Sequence, residues 1–534
     1  MPEYLHPGVY IEEIERGPVP IEGVPTSTAA FLGEAERGST TPQLVTSYKD
    51  YMRLFGNVFG PDKFLPYATN GFFENGGKRA YICRIVGDAS APGGTDGAAS
   101  ATATFGTSFS VRAAGPGLWG NNVVVKIEDS KTTTGADKKP IGFRMLLSYW
   151  SKGAPTDPFP KDGSAPKPRP DYSEVFEDLV AVESSPDFYG KRLPYIDLDK
   201  GEANQGPQSS ALAILVRNKN VPDGSQPDRA INSLTNGQDA KTPVGPADFV
   251  GIPTSTRPDP QGLTALTLDP YRDVALVYAP GVSDKDTVAQ IVDHCENLRF
   301  RFAVIDTPKG RSSTTDLDPR SMYTDTEYAA FYYPWIVTSD PLTGARKFIP
   351  PGGSVLGVYA RTDSERGVFK SPANEILRGA LDLEYSIDDG TQDDLNPKGV
   401  NAIRSFPGRG IRVWGARTMA SDSLWKYVSV RRLFIFLERS IYEGTQWVVF
   451  EPNDDRLWAR VIDTIRLFLR TQWRLGALLG RTEQEAFFIT CDRTTMTQDD
   501  ILNGRLICEI GIAPVRPAEF VVFRIFQNTA EAQK

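Results

Sequence analysis

The sequence predicts a multidomain α/β (α+β) protein. It should have a mixed-sheet core built from the N- and C-terminal parts of the chain, an inserted mostly β domain, and extended arms at both termini. Three observations predict this. Strand-like and helical patterns alternate through residues 21–87 and resume from about residue 263. Between those stretches the composition shifts to strand runs separated by Gly, Pro and Asp clusters. Finally, each end of the chain carries an apolar, strand-like segment with no hairpin partner nearby.

In chain order, Val9 and Ile11 alternate with Tyr10 and Glu12 between Pro7-Gly8 and Gly17-Pro18, which is strand periodicity at a terminus. Such a strand can be an edge of its own domain or an arm added to another molecule's sheet, and the residues leave both open. Ala29–Gly33 and Arg79–Val86 read as short apolar strands. Ser47–Phe55 reads as a helix with Ser47 as cap and Asp50 at its third position, and Pro66–Asn75 as a second helix. Residues 88–104 have almost nothing to bury and read as a linker. Strand runs follow at Phe109–Ala113, Asn122–Glu128, Gly142–Tyr149 and Ala211–Val216, with a proline-rich connector at Ala154–Pro170. The α/β pattern then resumes with a strand at Val274–Tyr278, a helix at Lys285–Asn297 and a strand at Arg301–Asp306, a crossover unit with neighbouring parallel strands.

The C-terminal third is organised around Trp425–Asp454. Tyr427, Val428, Leu433, Phe434, Phe436, Leu437 and Ile441 recur at helical spacing, with Arg431, Arg432, Glu438 and Arg439 largely on other faces. Gly444 should stop that helix, and Gln446–Phe450 reads as a buried strand ending in an acidic turn. A long helix at Arg456–Leu478 and strands at Ala486–Cys491, Arg505–Ile512 and Glu519–Phe526 complete the chain.

The totals exclude several classes. A chain of 534 residues is too long for one core, and suggests about three or four domains. No apolar run approaches the roughly 18 residues of a membrane span. The first residues lack the basic start and apolar core of a signal peptide, so synthesis and folding in a cytoplasm are expected, with release by lysis or by a dedicated machine left open. Four cysteines without a CxxC motif fit buried thiols. With 59 basic and 67 acidic residues the net charge is −8, so the molecule as a whole has no electrostatic reason to bind nucleic acid or an anionic membrane.

Catalytic chemistry finds few residues. His6 and His294 are the only histidines, and His294-Cys295 near a helix end reads as packing rather than catalysis or metal binding. The glycines of Gly352–Gly357 precede a helix but lack both phosphate-binding spacings, so a plain loop is expected there, with Ser354 capping the helix that follows. Gly408-Arg409-Gly410 invites the same reading. Asp388-Asp389-Gly390 and Asp393-Asp394 lack calcium-loop spacing. No catalytic residue, cofactor or metal is assigned.

Two constellations remain. At about 100° per residue, Arg456, Arg460, Arg466, Arg470 and Arg474 fall within an arc of about 120°, opposite an apolar side. They form either a solvated face or a docking surface for an acidic partner. The final strand, with Phe520, Val521, Val522, Phe523 and Ile525, is apolar on both faces and follows a proline-containing linker. Donation to a neighbour would cover it.

An ordered set of segments resembles the contractile tail sheath proteins of phages and of phage-tail-like injection systems. The segments are HPGVYIEEI (His6–Ile14), PGLWGNNVVVKI (Pro116–Ile127), Pro350–Glu375, Leu395–Thr418, Trp425–Asp454 and EIGIAPVRPAEFVVFRI (Glu509–Ile525). Residues 129–262 carry none of the resemblance. It implies a non-enzymatic structural subunit that polymerises as stacked six-fold rings around an inner tube and contracts from a metastable extended state. It further implies contacts with baseplate and tail-terminator or cap proteins. The terminal strands, Val9–Glu12 and Phe520–Ile525, would enter neighbouring subunits' sheets, and the arginine stripe becomes a candidate tube contact. The particle would assemble in a bacterial cytoplasm, without direct contact to nucleic acid or membrane. The expected division is an N-terminal arm (1–20), a first core part (21–87), a β insertion facing outward (88–262), a middle α/β domain (263–350), a C-terminal core (351–508) and a C-terminal arm (509–534). A closed-shell or capsid-like subunit shares such arms and remains the alternative.

Overall fold

The computed structural model describes residues 20–87, 97–134, 139–201, 203–251 and 261–524. Two compact units emerge. Residues 25–366 and 371–431 form the larger; the described residues before 25, residues 367–370 and those from 432 onward form the smaller. The expected C-terminal core, 351–508, is thus divided between them.

The larger unit is built on one nine-stranded sheet. Its first part supplies β1 (Ala29–Gly33), β2 (Gln43–Val45), α1 (Tyr48–Phe55), α2 (Leu65–Glu74) and β3 (Ala80–Arg84). The later part supplies β4 (Leu276–Tyr278), α3 (Lys285–Leu298), β5 (Phe302–Asp306), β6 (Ala329–Tyr333), α4 (Gly352–Arg366), β7 (Glu375–Ile376), β8 (Val400–Phe406) and β9 (Gly410–Val413). The strand order is β7-β9-β8-β6-β5-β4-β1-β3-β2. Strands β3, β1, β4, β5, β6 and β8 run parallel, so both faces need cover and the strands read as unbroken apolar runs. Pairing of β1 with β4, Ala29 opposite Leu276, joins segments separated by the whole insertion.

The helices form where local signals ask for them. Ser47 Oγ accepts from the Asp50 amide at 3.1 Å to cap α1, and Asp284 accepts from Thr287 at 2.8 Å to cap α3. Arg299, at φ 62°, ends α3 in the left-handed conformation. The expected loop at Gly352–Gly357 is instead the start of α4. Its glycines let α4 lie against α2: a Cβ on Gly353 would sit 2.4 Å from Ala68 O, and one on Gly357 2.5 Å from Phe72 O. Backbone contact this close leaves no room for any side chain.

The insertion within this unit holds two four-stranded sheets. One orders Tyr172–Leu179, Phe143–Tyr149, Val123–Asp129 and Ile231–Ser233; the other Tyr195–Asp197, Ala213–Arg217, Phe109–Ala113 and Thr102–Phe105. They share one core that includes Phe109, Phe143, Leu147, Tyr189 and Leu215. The linker expected at 88–104 is therefore shorter at its described end, because Thr102–Phe105 pairs with Phe109–Ala113. Arg84, on β3, ties the insertion to the sheet. Its buried guanidinium donates to Ala35 O, Gly38 O and Pro116 O, and burial pushes its pKa down to about 10.

In the C-terminal third, α5 (Val428–Gly444) is the predicted helix, and the division between units falls inside it. Three arginines that fall largely off the apolar face are nonetheless buried: Arg431, Arg432 and Arg439. Arg431 lies over the rings of Tyr328 and Trp425, 4.8 and 4.5 Å from their centroids. Arg439 pairs with Glu443 at 2.9 Å. Gly444 does not act as a left-handed stop; it is the last helical residue, and a Cβ there would meet Ile21 at 2.7 Å. The strand expected at Gln446–Phe450 is also absent. Gln446–Val448 is a 3-10 turn, and Val449 and Phe450 project into solvent. The smaller unit then continues with α6 (Asp455–Arg474), β10 (Phe487–Thr490) and β11 (Glu509–Ile512). Leu433, Leu437, Trp458, Ile465, Phe468 and Phe487 are among its core residues.

Candidate assembly interface

Among the described residues the smaller unit's sheet consists of β10 and β11, paired antiparallel from Phe487 opposite Ile512 to Thr490 opposite Glu509. One face rests on the α6 core through Phe487, while Phe488 is exposed. A two-stranded sheet is marginal by itself and gains from further strands. Beyond β11 the chain is held at Ala513, whose carbonyl accepts from Leu479, and at Val515, which donates to Ala477.

After that the tail leaves the fold. The strand expected at Glu519–Phe526 is not formed over the described residues 519–524. Phe520, Val521, Val522 and Phe523 are 73, 68, 78 and 85% exposed, so four consecutive large apolar side chains have no cover among the described residues. Arg516 and Pro517 precede this segment, and Ile525 lies outside the described residues. So do the N-terminal candidates Val9, Tyr10, Ile11 and Glu12.

The arginine stripe lies on α6 as the periodicity requires, but it is not bare. Asp454 caps the helix, accepting from Leu457 N at 2.9 Å. Arg470 donates to Glu483 at 2.7 and 3.2 Å. Arg466 pairs with Asp463 at 3.0 Å and reaches Glu483 at 3.7 Å. The Arg470 hydrogen bond, aided by Arg466 and Arg474, holds the Glu483 carboxyl below its usual range. Arg460 lies 4.7 Å from the Trp447 ring and 4.0 Å from Glu451. Arg456 and Arg474 stay exposed. The face is thus a mixed-sign network with a partial positive excess. Asp463 was visible in the sequence, three residues before Arg466. Glu483 was not, because it returns across the turn after α6.

The enzyme-type candidates resolve into packing. His294 is buried, and Arg301 Nη1 lies 2.6 Å from its Nε2. Burial, with the Arg301 charge, pushes the imidazole down to about 3, so it is neutral and accepts. Burial raises the Cys295 thiol to about 12. Asp306, at the carboxyl end of β5, accepts from Tyr278 Oη at 2.6 Å and from the Gly281 and Gly352 amides at 3.0 Å each. Burial pushes its pKa up to about 6 against those hydrogen bonds. Sequence reading missed this group; its only signal was an Asp ending an apolar strand. Outside the strand ends, where the direction of winding reverses between β1 and β4, lies a cleft of about 780 Å³. Doubly wound sheets bind ligands at such a place. Here Lys63 is paired with Glu34 and Lys309 lies 5.6 Å from the Trp335 ring centroid. Among the described residues no group of three or more His, Cys, Asp or Glu could hold a metal, and no helix is long and apolar enough to cross a membrane.

A parallel core assembled from two distant parts, a β insertion and an uncovered apolar tail define a subunit built for assembly. Two family models match in tandem: the phage tail sheath protein central domain over residues 260–419 and the phage tail sheath C-terminal domain over residues 420–528. The chain belongs to the contractile tail sheath family. A prophage major tail sheath protein of Pseudomonas aeruginosa (strain UCBPP-PA14) is 25% identical over 293 residues, 54% of this chain and 74% of that one. The tail sheath protein of Burkholderia phage BcepMu is 26% identical over 263 residues, 46% of this chain and 54% of that one, so the match spans about half of that relative's length. Among solved structures, the sheath complex of the extracellular contractile injection system PVC, in its contracted state, shares the fold with a TM-score of 0.58 at 24% identity, covering all of both chains. The contracted helical sheath of the anti-feeding prophage gives 0.55 at 22% identity, with coverage of 98 and 99%.

Proposed function

We propose that the chain is the repeating subunit of a contractile sheath, polymerising with itself around an inner tube and contracting from an extended, metastable state to drive that tube through a target envelope. The observation that carries this reading is the exposed apolar tail, Phe520–Phe523, following a two-stranded sheet in a chain of the sheath family. Strand addition satisfies both: a neighbour's terminal strand extends β10–β11, and this chain's tail extends a neighbour's sheet. The N-terminal residues Val9–Glu12 would serve the same purpose. Such ties keep subunits linked while their folded units reorient.

Contraction then needs only that the contacts of the contracted state outweigh those of the extended one. A difference of about 1 kcal/mol per interface, repeated over many copies, makes the change one-way. No residue set in the subunit is assigned to catalysis; the work is stored in the assembly.

The α6 face is the proposed contact with the inner tube. Since Glu483 and Asp463 neutralise its centre, the attraction for an acidic partner falls mainly to Arg456, Arg460 and Arg474, a weak and releasable hold. Baseplate and cap proteins would bind the two ends of the polymer, and the β insertion would face outward. Assembly would occur in the bacterial cytoplasm. Negative-stain microscopy of the purified full chain tests the proposal: hollow striated cylinders support a sheath, and closed shells favour a capsid-like subunit.

A further inference from the structure

We infer that Cys491 and Cys508 form a redox modification site: a cross-strand dithiol that takes a low-molecular-weight disulfide of the glutathione class and becomes an internal disulfide closing residues 492–507.

The argument starts from register. Thr490 pairs with Glu509 at the end of the β10–β11 ladder, so the next step of the same antiparallel register sets Cys491 opposite Cys508. Directly opposed residues in such a pair stand about 4.5–5.5 Å apart at Cα. A disulfide spans roughly 4.4–6.8 Å, a range that includes that spacing. The two thiols lie near enough for each to shift the other's ionisation, Cys508 upward and Cys491 downward against its burial. Both are free thiols, Cys491 buried and Cys508 partly exposed.

The unequal exposure orders the steps. The Cys508 thiolate attacks one sulfur of the small disulfide, forming a mixed disulfide and expelling one thiolate. The Cys491 thiolate then attacks the Cys508 sulfur, forming the internal S–S bond and expelling the second. Two protons leave to solvent; the protein loses two electrons and the small disulfide gains them. Burial raises both thiols, Cys508 to about 12, while Cys508 offsets part of the rise at Cys491. The pair is therefore slow at neutral pH and quickens as pH rises. Cys83 and Cys295 are buried, each without a cysteine opposite, and stay outside this chemistry. Closure would pin the register of β10 and β11, the sheet that the proposed arms extend, yet the chemistry itself does not depend on that proposal.

The test incubates the native full-length protein with oxidised glutathione at a series of pH values, traps free thiols by alkylation and maps peptides without reduction. The expected product is a Cys491–Cys508 crosslink, lighter by two hydrogens and reversed by dithiothreitol. Its rate should rise about tenfold per pH unit while the thiols remain mostly protonated. Cys491→Ser should halt the sequence midway, with glutathione accumulating on Cys508. Cys508→Ser, at the more exposed position, should give neither crosslink nor adduct. Glutathione persisting on Cys508 of the unmutated protein, or a crosslink that appears only in denaturant, would overturn the inference.

Discussion

The two sheets that matter here are built on opposite principles. The nine-stranded sheet is closed to company: its central strands are buried on both faces, and its edge strands, Gln43–Val45 and Glu375–Ile376, are only three and two residues long. Short edges offer little template for another chain. Among the described residues the sheet of β10 and β11 has two strands, shows Phe488 to solvent and is followed by an exposed apolar tail. One sheet completes itself from distant parts of its own sequence, whereas the other, on the proposed function, takes a strand from another copy. That proposal separates polymerisation from folding, so a mutation should be able to damage one without the other.

The largest effect should come from removing the tail. Truncation at residue 518 spares the Ala513 and Val515 hydrogen bonds and should abolish cylinders in negative stain while leaving thermal melting of the subunit nearly unchanged. The reverse dissociation comes from the closed sheet. Asp306→Ala strands the buried Tyr278 hydroxyl and Gly352 amide, together with the half-buried Gly281 amide at the cleft, and should cost about 3 kcal/mol in urea unfolding. Gly353→Ala forces a Cβ against Ala68 O, and should cost about 1–3 kcal/mol. Both variants, below their unfolding midpoints, should still assemble.

A pH effect ranks next. His294 is neutral in the fold, its pKa about 3, against about 6.5 when unfolded. Its stabilisation is complete above the unfolded value and is lost as pH falls through that window, up to about 2 kcal/mol by about pH 5. Asp306, with its pKa raised to about 6, works in the opposite direction, losing stability as pH rises through its own window. The two partly cancel. The His294 share should therefore appear as a flatter acid limb in His294→Gln, measured by urea midpoints across pH.

Smaller still, Phe523→Ser should change unfolding free energy by less than about 0.5 kcal/mol. It should nonetheless weaken assembly, read as a raised protein concentration for cylinder formation. Smallest is Arg470→Gln on the mixed-sign face, which should leave melting unchanged and let the Glu483 carboxyl titrate nearer its usual range.

Much of the closed sheet was legible because buried parallel strands announce themselves. Ala29–Gly33 and Phe302–Asp306 are apolar runs, and the Ser47 cap marks a helix start. Ala329–Tyr333 shows in the sequence only as part of an aromatic cluster, not as a strand. Which strands meet was not legible, since the Ala29 and Leu276 pairing depends on packing across the insertion. Charge misled at Arg431, Arg432 and Arg439, because a guanidinium can be buried against rings or a carboxylate, and periodicity does not reveal those partners. Glycine misled at Gly444 and Gly353, where the requirement is close approach rather than a turn. In the candidate site, the tail was recognisable as apolar on both faces, but its exposure among the described residues depends on the three-dimensional structure. The stripe was visible as a stripe, while Glu483, which tempers it, comes from outside the helix.

The central claim is that the sheet of the smaller unit is completed by another copy's terminal strand. The most direct measurement is negative-stain microscopy of the full chain beside the chain ending at residue 518, at equal concentration. Striated cylinders from the first and dispersed subunits from the second are the predicted pair. Equally long cylinders from both would contradict it.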